Sequence, residues 1–213
     1  MRWPDWLLYV PGTFVALFPI ANLFGATSIF YALTANSEAA DRRRQARWTA
    51  LYVVLILAVT LVAGELVLAF FGISLSVVRI AGGLIIGETA WEMVTAHERL
   101  TASETDEAAH KHDIAFTPMA LPLISGPGAM GVVLSLDANT NNWVQVPGCL
   151  LGIGLLGLAT YLFLIVGEPI TRALGRTGMG ALTRVLGFLL LALAVQLVAE
   201  GLLGLVREGL PSL

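Results

Sequence analysis

One stretch in the second half of the chain combines three prolines and two glycines in a pattern that could bind a small anion. These residues are Pro118, Pro122, Gly126, Pro127 and Gly128. Each proline removes a backbone N–H group and disfavours helix in the residue before it. Pro127 also suits the first position of a new helix, with Gly126 as its cap. The spacing therefore predicts two half-helices separated by an unwound joint, where free N–H groups and a positive helix end would attract a carboxylate.

Short polar side chains lie close to this stretch and to a similar stretch around Pro19 in the first half of the chain. Asn22, for example, is an amide within an apolar run, where an unpaired polar group is costly. Secondary transporters place their substrate site at unwound joints of this kind, and the alternative is an ordinary proline-kinked span. We predict a site for a small zwitterion or another small polar solute, formed by Pro19, Asn22, Thr27, Ser28, Pro122, Ser125, Gly126 and Gly128.

Charged residues within apolar runs are candidates for coupling or for charge within the membrane, and a carboxyl group in hydrocarbon favours its neutral form, which can make it a proton carrier. These candidates are Glu65, Arg79, Glu88, Glu168 and Arg184. One role for Arg79 and Arg184 is to pair with Glu65 or Glu168. The alternative is that each charge marks a hydrated membrane interface, with the arginines reaching to lipid phosphates. Glu88 and Glu92 are four residues apart and would share a helix face. Glu92 follows Trp91, which is typical of an interface, so Glu88 is expected to be the deeper of the two.

No spacing of residues favours catalysis or a metal. The sequence has no nucleophile elbow, no phosphate-binding loop and no zinc-protease motif. His110 and His112 could bind a metal in principle, but their polar surroundings favour a solvated loop. A net charge of −3 without a basic stripe argues against nucleic-acid binding. We therefore expect no enzyme, no cofactor and no metal, with a small-molecule substrate and the lipid bilayer as partners.

The elements that must position these residues are transmembrane helices. Hydrophobic residues make up 57% of the 213 residues and charged residues 13%, with a mean hydropathy of +0.81, which excludes an ordinary soluble domain. The start lacks a cationic region followed by a cleavage site, so we interpret it as a retained first span and not as a signal peptide. We expect one all-α transmembrane domain, residues 1–213, with six spans of about 20 residues or more. They lie near Leu7–Leu33, Trp48–Phe71, Leu75–Thr95, Ile114–Ser135, Val144–Gly167 and Leu182–Val206.

Lysine and arginine are distributed unequally between the two ends of these spans. Nine of them lie in the loops after spans one, three and five, against three on the other side. The positive-inside rule then places the polar loops Asn36–Arg47 and 96–113 in the cytoplasm, and both termini in the periplasm. Within span three, Gly82, Gly83 and Gly87 form a small-residue face that is expected to pack closely against another helix.

The two halves of the chain contain the same short features in the same order. The corresponding pairs are Pro19 and Pro118, Glu65 and Glu168, and Arg79 and Arg184, at offsets of 99, 103 and 105 residues. Repeat one would cover about 7–95 and repeat two about 114–206. Because three spans in each half make the halves point in opposite directions, we predict two inverted three-helix repeats whose broken spans, one and four, face each other near mid-membrane.

Together these motifs resemble the MarC family of bacterial integral membrane proteins over almost the full length of the chain. The matching motifs are Pro19-Ile-Ala-Asn22, Phe71-Gly-Ile-Ser74, Arg79-Ile-Ala-Gly-Gly83, Phe116-Thr-Pro-Met-Ala-Leu-Pro122, Gly126-Pro-Gly128 and Arg184-Val-Leu-Gly-Phe188. The resemblance implies a six-helix protein of the bacterial inner membrane, and some members are reported to transport small neutral amino acids. The family often has a second proline after Asn22, whereas this chain has Leu23, so we expect span one to break less sharply than span four.

The first functional hypothesis is a secondary transporter that exports a small neutral amino acid such as alanine, glycine or threonine, with proton coupling as a candidate mechanism. A carrier of drug-like or lipid-linked molecules is the second hypothesis, and a wide, laterally open cavity would favour it. A non-transporting scaffold or regulator is the third, and it predicts tight packing around Asn22 and Ser125 without a cavity. The sequence leaves the oligomeric state open, with a homo-oligomer as one alternative.

Overall fold

The computed structural model describes residues 5–95, 113–137 and 145–209, and every regular element in these ranges is a helix. The α-helices are α1 (Tyr9–Ala21), α2 (Leu23–Leu33), α3 (Ala39–Phe71), α4 (Leu75–Thr95), α5 (Pro127–Asp137) and α6 (Val146–Gly209). A short 3-10 turn, Asp5–Leu8, precedes α1. A π-helical segment, Ala115–Ile124, precedes α5; because its turns are wider than those of an α-helix, it is called the wide-turn segment. Helix α6 is interrupted at Gly175, whose φ of 62° and ψ of −179° are not helical.

Within the described ranges, three helical stretches are long and apolar enough to cross a membrane. They are Ala39–Gly64 of α3, and Val146–Gly167 and Thr177–Arg207 of α6. The count rises to five if each of two bent pairs, α1 with α2 and the wide-turn segment with α5, forms one span. Helix α4 has 21 residues but carries three charged side chains, Arg79, Glu88 and Glu92, and is not among them. A helical membrane protein is confirmed, and the count of six spans stays a prediction.

Two segments that were expected to be loops are helical. The polar segment Asn36–Arg47 forms the first turns of α3 from Ala39 onward, and α6 continues from predicted span five into predicted span six with the one interruption at Gly175. With 33 residues, α3 is about 50 Å long, whereas the hydrocarbon core of a bilayer is about 30 Å thick. Charged residues therefore mark where a helix leaves the hydrocarbon and not where the helix ends.

The first break lies at Asn22, where α1 and α2 meet at an angle of 49°. Asn22 has a φ of 42° and a ψ of 55°, the left-handed conformation that asparagine adopts more readily than most residues. Its N–H donates to the Pro19 carbonyl at 3.2 Å, where α1 ends. Its side-chain oxygen accepts from the Gly25 N–H at 3.3 Å and caps α2. The predicted break in span one is present, and Asn22 is the residue that forms it.

The second break lies at Ser125 and Gly126, and its two arms meet at 60°, a sharper bend than the first, as expected. Pro127 is the first residue of α5, a position where its missing N–H costs no hydrogen bond. Gly126 has no room for a side chain, because a Cβ there would overlap the carbonyl oxygen of Pro122. The predicted break in span four is therefore present as well.

The arm before this second break is not the regular half-helix that the proline pattern was expected to form. Thr117 and Leu121, which precede Pro118 and Pro122, have extended backbone angles, since a proline ring disfavours helix in the residue before it. The segment stays coiled because two N–H groups donate to carbonyls five residues back. These bonds join Met119 to Ile114 at 3.1 Å and Ser125 to Ala120 at 2.9 Å.

Apolar side chains fill the interior and also cover much of the outside. The bent pairs contribute fully buried residues such as Leu17, Phe30 and Met119 to the core. On the outside, Leu66 of α3 is 74% exposed and Phe188 of α6 is 67% exposed. An apolar surface of this extent is unfavourable in water and suits contact with lipid chains.

Candidate functional site

A cleft of about 180 Å³ lies at the second break. It is lined by residues 122–124 of the wide-turn segment, by residues 126–129 of the joint and α5, by Ile20 of α1, and by Ile85, Thr89 and Glu92 of α4. Most of these groups are apolar, and the polar ones are the Thr89 hydroxyl, the Glu92 carboxyl and the backbone of the joint. An apolar cleft with a few convergent polar groups is the usual form of a small-ligand site.

The N-terminus of α5 contributes one wall of the cleft. The first hydrogen bond of this helix runs from the Met130 N–H to the Gly126 carbonyl at 3.1 Å. The N–H groups before it have no carbonyl partner within the helix, and Pro127 has no N–H, so Gly128 and Ala129 carry the first donors. Both residues line the cleft. This wall therefore has the positive end of a helix dipole and unpaired donors, which together favour an anionic group.

One face of α4 contributes another wall. Ile85, Thr89 and Glu92 are four and three residues apart, so their side chains share a face of the helix. Close packing fixes the position of this face, because a Cβ added to Gly131 of α5 would lie 3.0 Å from the Cα of Gly82. The expected close packing of the small-residue face of α4 is therefore confirmed.

Among the described residues, Glu92 has the one ionisable side chain that lines the cleft. It is half-buried, and its carboxyl group has no hydrogen bond or ion pair with any residue in the described ranges. Glu88, four residues earlier, is exposed outside the cleft. Glu92 was not among the residues predicted for the site, because the adjacent Trp91 is typical of a membrane interface. The signal that could have found it is its helical spacing from Thr89 and Ile85.

Three of the eight predicted substrate-binding residues line the cleft, namely Pro122, Gly126 and Gly128. Ser125 lies between them in sequence but is fully buried. Its hydroxyl donates to the Ala120 carbonyl at 2.7 Å, the same oxygen that accepts from the Ser125 N–H. The Ser125 side chain therefore stabilises the turn before the joint, and the backbone forms the surface of the cleft.

The other four predicted residues, Pro19, Asn22, Thr27 and Ser28, belong to the first joint and do not line the cleft. The hydroxyl of Thr27 donates to the Leu23 carbonyl at 2.6 Å, and the hydroxyl of Ser28 donates to the Phe24 carbonyl at 3.3 Å. Asn22 is 3% exposed and caps α2. The polar side chains at this joint thus satisfy the backbone of their own segment.

Aromatic rings pack beside the first joint. Phe18 of α1, Phe24 of α2 and Phe163 of α6 form three edge-to-face pairs with centroid distances from 5.0 to 6.4 Å, a favoured geometry for aromatic pairs. The two joints therefore differ: the first is packed with aromatic rings, whereas the second opens into a cleft.

None of the three charged candidates whose side chains the structure describes lines the cleft. Arg79 is half-buried on α4, and Glu88 and Arg184 are exposed. The side chains of Glu65 and Glu168 lie outside what the structure describes, as does the polar loop 96–112 with its three histidines. Among the residues that are described, no group of three or more histidine, cysteine, aspartate or glutamate side chains could hold a metal ion.

Comparison with known proteins identifies relatives over nearly the whole chain. The family model described as "MarC family integral membrane protein" matches residues 8–206. The chain is 34% identical over 201 residues to the UPF0056 membrane protein YvbG of Bacillus subtilis, with 92% of this chain and 95% of that protein covered. It is 33% identical to the UPF0056 inner membrane protein MarC of Citrobacter koseri, with 91% and 93% covered. It is also 33% identical to the UPF0056 membrane protein MJ1677 of Methanocaldococcus jannaschii, with 93% and 98% covered.

No solved structure is a significant match to the chain. The family model and the full-length relatives nevertheless agree with one another and with the apolar helical surface of the structure. The chain belongs to the MarC family of integral membrane proteins.

Proposed function

We propose that the chain is a secondary transporter of the inner membrane that exports small neutral amino acids, and that the cleft at the second break is its substrate site. The observation that carries the proposal is the N-terminus of α5, which opens into this cleft at a break in an apolar segment. Irregular backbone at membrane depth is tolerated where protein or a water-filled cavity satisfies it. Known transporters use such half-helix ends to bind the carboxylate of their substrate.

The size of the cleft favours a small solute over a drug-like one. Its volume of about 180 Å³ is below the range of about 300–1,000 Å³ that is usual for drug-sized ligands. The apolar walls formed by Ile20, Ile85 and Leu123 leave room for a short uncharged side chain. A carrier of drug-like or lipid-linked molecules is therefore less well supported than a carrier of small amino acids.

The packing around the two joints also distinguishes a transporter from a non-transporting scaffold, because a scaffold would be tightly packed at both joints. The first joint fits that alternative, since Asn22 is 3% exposed and its side chain caps α2. The second joint does not fit it, because the residues on both sides of Ser125 line the cleft. An open joint supports a transporter better than a scaffold.

Six spans in two inverted repeats are part of the proposal, and the packing of two glycines supports them. A Cβ on Gly167 of α6 would overlap the side chain of Thr27, in the first broken segment. A Cβ on Gly64 of α3 would overlap the side chain of Leu134, in the second broken segment. Gly64 and Gly167 belong to the two repeated Gly-Glu pairs. In each contact, a broken span of one half packs against the second span of the other half, as expected for two inverted repeats.

A contact between α3 and α6 supports the same arrangement. A Cβ on Gly157 would overlap the side chain of Val54, and these residues are 103 residues apart, the offset of the Gly-Glu pairs. In a two-fold arrangement, a residue touches its own counterpart only at the axis. The proposed axis therefore passes between α3 and α6 at Val54 and Gly157.

In the proposed repeat, the two halves would be in different states of closure. With the offset of 105 residues, the cleft residues Ile85, Thr89 and Glu92 correspond to residues 190, 194 and 197. Those counterparts are Leu190, Ala194 and Leu197, which are 0%, 3% and 8% exposed. Alternating access requires a site that is open toward one face of the membrane while the route to the other face is closed. The cleft lies on the part of α4 that leads to loop 96–112, so it opens to the cytoplasm in the topology that the positive-inside rule favours.

Counterflow of labelled amino acids in proteoliposomes tests the proposed function. Vesicles that contain the purified protein and unlabelled alanine should accumulate labelled alanine, and protein-free vesicles should not. Sidedness of flux in oriented vesicles tests export, and the effect of an imposed pH gradient on the rate tests proton coupling. An absence of flux for alanine, glycine and threonine alike would overturn the proposal.

A further inference from the structure

Among the described residues that line the cleft, Glu92 has the one ionisable side chain, and the other groups are apolar apart from the Thr89 hydroxyl and the positive end of α5. It is half-buried, and no residue in the described ranges forms a hydrogen bond or an ion pair with its carboxyl group. A carboxylate that is partly removed from water is costly unless a cation or a donor pairs with it. A cationic group in the cleft would therefore be bound at Glu92.

No described element that lines the cleft supplies that cation. Arg79 is on the same helix, but it precedes Glu92 by thirteen residues, which is about 20 Å along an α-helix. The wide-turn segment Ala115–Ile124 has no ionisable residue, and the ionisable residues of α1 and α5 are Tyr9 and Asp137, neither of which is cationic. The described elements that line the cleft therefore provide no cation for Glu92.

We propose that Glu92 binds the ammonium group of the substrate, while the N-terminus of α5 binds its carboxylate. This inference rests on the proposed function. The cleft has a negative group on α4 and a positive helix end on α5, so it matches a molecule with both charges a few ångströms apart. An α-amino acid has that arrangement, whereas a hydroxy acid lacks the cation and an amino alcohol lacks the anion. Specificity for the zwitterion therefore comes from two poles on two different helices.

The Glu92 inference predicts a particular change in specificity, which binding to three probes of similar size measures. The probes are alanine, lactate, which has no ammonium group, and alaninol, which has no carboxylate. Wild-type protein in lipid nanodiscs should bind alanine at least tenfold more tightly than lactate and more tightly than alaninol. In Glu92→Gln the affinity for alanine should fall about tenfold to one-hundredfold, the range expected for loss of a hydrogen bond to a charged group. The affinity of the variant for lactate should change little, so its preference for alanine over lactate should disappear.

Glu88→Gln is the matched control, because it removes the same charge one turn earlier on α4, from an exposed position outside the cleft. It should keep the wild-type preference for alanine. Glu92→Asp keeps the charge on a shorter side chain and should bind alanine more weakly than wild type but still prefer it over lactate. Elution as a single species and an unchanged melting temperature establish that each variant is folded.

Two outcomes separate the failure of this inference from the failure of the proposed function. If wild type binds alanine and Glu92→Gln keeps the wild-type ratio of alanine to lactate affinity, Glu92 does not bind the ammonium group. The same conclusion follows if Glu92→Asp binds alanine as tightly as wild type. If wild type binds none of the small neutral amino acids, the proposed function itself is wrong. A residue that served only to take up a proton would change the pH dependence of flux without changing the preference for alanine over lactate, and that result would also overturn the inference.

Discussion

Gly82 of α4 and Gly131 of α5 approach so closely that a Cβ on Gly131 would lie 3.0 Å from the Cα of Gly82. This contact brings the helix that carries Glu92 against the helix whose N-terminus lines the same cleft. Small residues allow helix backbones to approach within a membrane, where dispersion contacts replace the hydrophobic effect as the source of packing energy. The width of the cleft therefore depends on the absence of side chains at two glycines close to its walls, since Gly131 lies two residues from Ala129 and Gly82 three residues from Ile85.

Gly131→Val should separate α4 from α5 and disrupt the cleft. Overpacking at a site without free space costs about 1–3 kcal/mol, so the melting temperature should fall and alanine counterflow should be lost. Gly87→Ala is the control on α4, because a Cβ there would meet the Cβ of Ala194 at 3.8 Å, an ordinary contact. Equal effects of both substitutions on stability and on flux would contradict this account of the Gly82–Gly131 contact.

Asn22→Ala should destabilise the protein without changing the affinity for alanine. The substitution removes the cap on α2 and places a residue with a Cβ but no polar side chain at a φ of 42°, at a cost of about 1–2 kcal/mol. Glycine adopts that φ readily, so Asn22→Gly should lower the free energy of unfolding by only a few tenths of a kcal/mol. The melting temperature measures the stability of each variant, and a binding isotherm measures its affinity for alanine. A large loss of alanine affinity in a folded Asn22→Gly variant would show that the side chain contacts the substrate, as first predicted from the sequence.

Gly126→Ala should alter the joint itself. The new Cβ would overlap the carbonyl oxygen of Pro122, so the turn has to shift and the first donors of α5 have to move with it. Alanine binding should be weakened at least tenfold, which corresponds to about 1.4 kcal/mol.

Ser125→Ala is the neighbouring control for that joint. Within the ranges that the structure describes, its hydroxyl bonds to the Ala120 carbonyl alone, so its loss should cost about 1 kcal/mol of stability and leave the affinity for alanine unchanged. If Ser125→Ala abolished binding in a folded protein while Gly126→Ala did not, the side chain and not the backbone would be the binding group.

Cysteine labelling at two counterpart positions tests alternating access. In a background without the buried Cys149, Thr89→Cys should react with a membrane-impermeant thiol reagent from the cytoplasmic side. Ala194 is 3% exposed, so Ala194→Cys should not react with the reagent in the absence of substrate. Under turnover with alanine, Ala194→Cys should become reactive from the periplasmic side and Thr89→Cys less so. Labelling of Ala194→Cys that is independent of substrate would contradict the proposal of a closed counterpart.

The breaks could be predicted from the sequence because proline and glycine act on their own backbone. Pro127 starts α5, and Gly126 lies where a side chain would overlap the preceding turn. The backbone conformation of the wide-turn segment was harder to predict from the sequence, since Thr117 and Leu121 are extended while the segment as a whole remains coiled. The positions of proline and glycine locate the joint, but they do not determine which N–H groups and carbonyls form hydrogen bonds before it.

The roles of the polar residues were harder to predict. The sequence marks Thr27 as a polar residue in an apolar segment, but it does not reveal that the hydroxyl bonds to the Leu23 carbonyl one turn earlier. It likewise does not reveal which carboxylate on α4 lines a cleft, because that choice depends on how α4 rotates against α5. Glu88 is exposed and Glu92 lines the cleft, although both lie on the same helix one turn apart.

The most direct test of the cleft as the transport site is alanine counterflow by Thr89→Trp, with Glu88→Trp as its control. Thr89 lines the cleft, so an indole there would occupy the space for substrate, whereas Glu88 is an exposed neighbour outside it. We expect Thr89→Trp to reconstitute as a folded protein with no counterflow above protein-free vesicles, and Glu88→Trp to retain wild-type flux. Wild-type flux through Thr89→Trp would contradict the assignment of the transport site to this cleft.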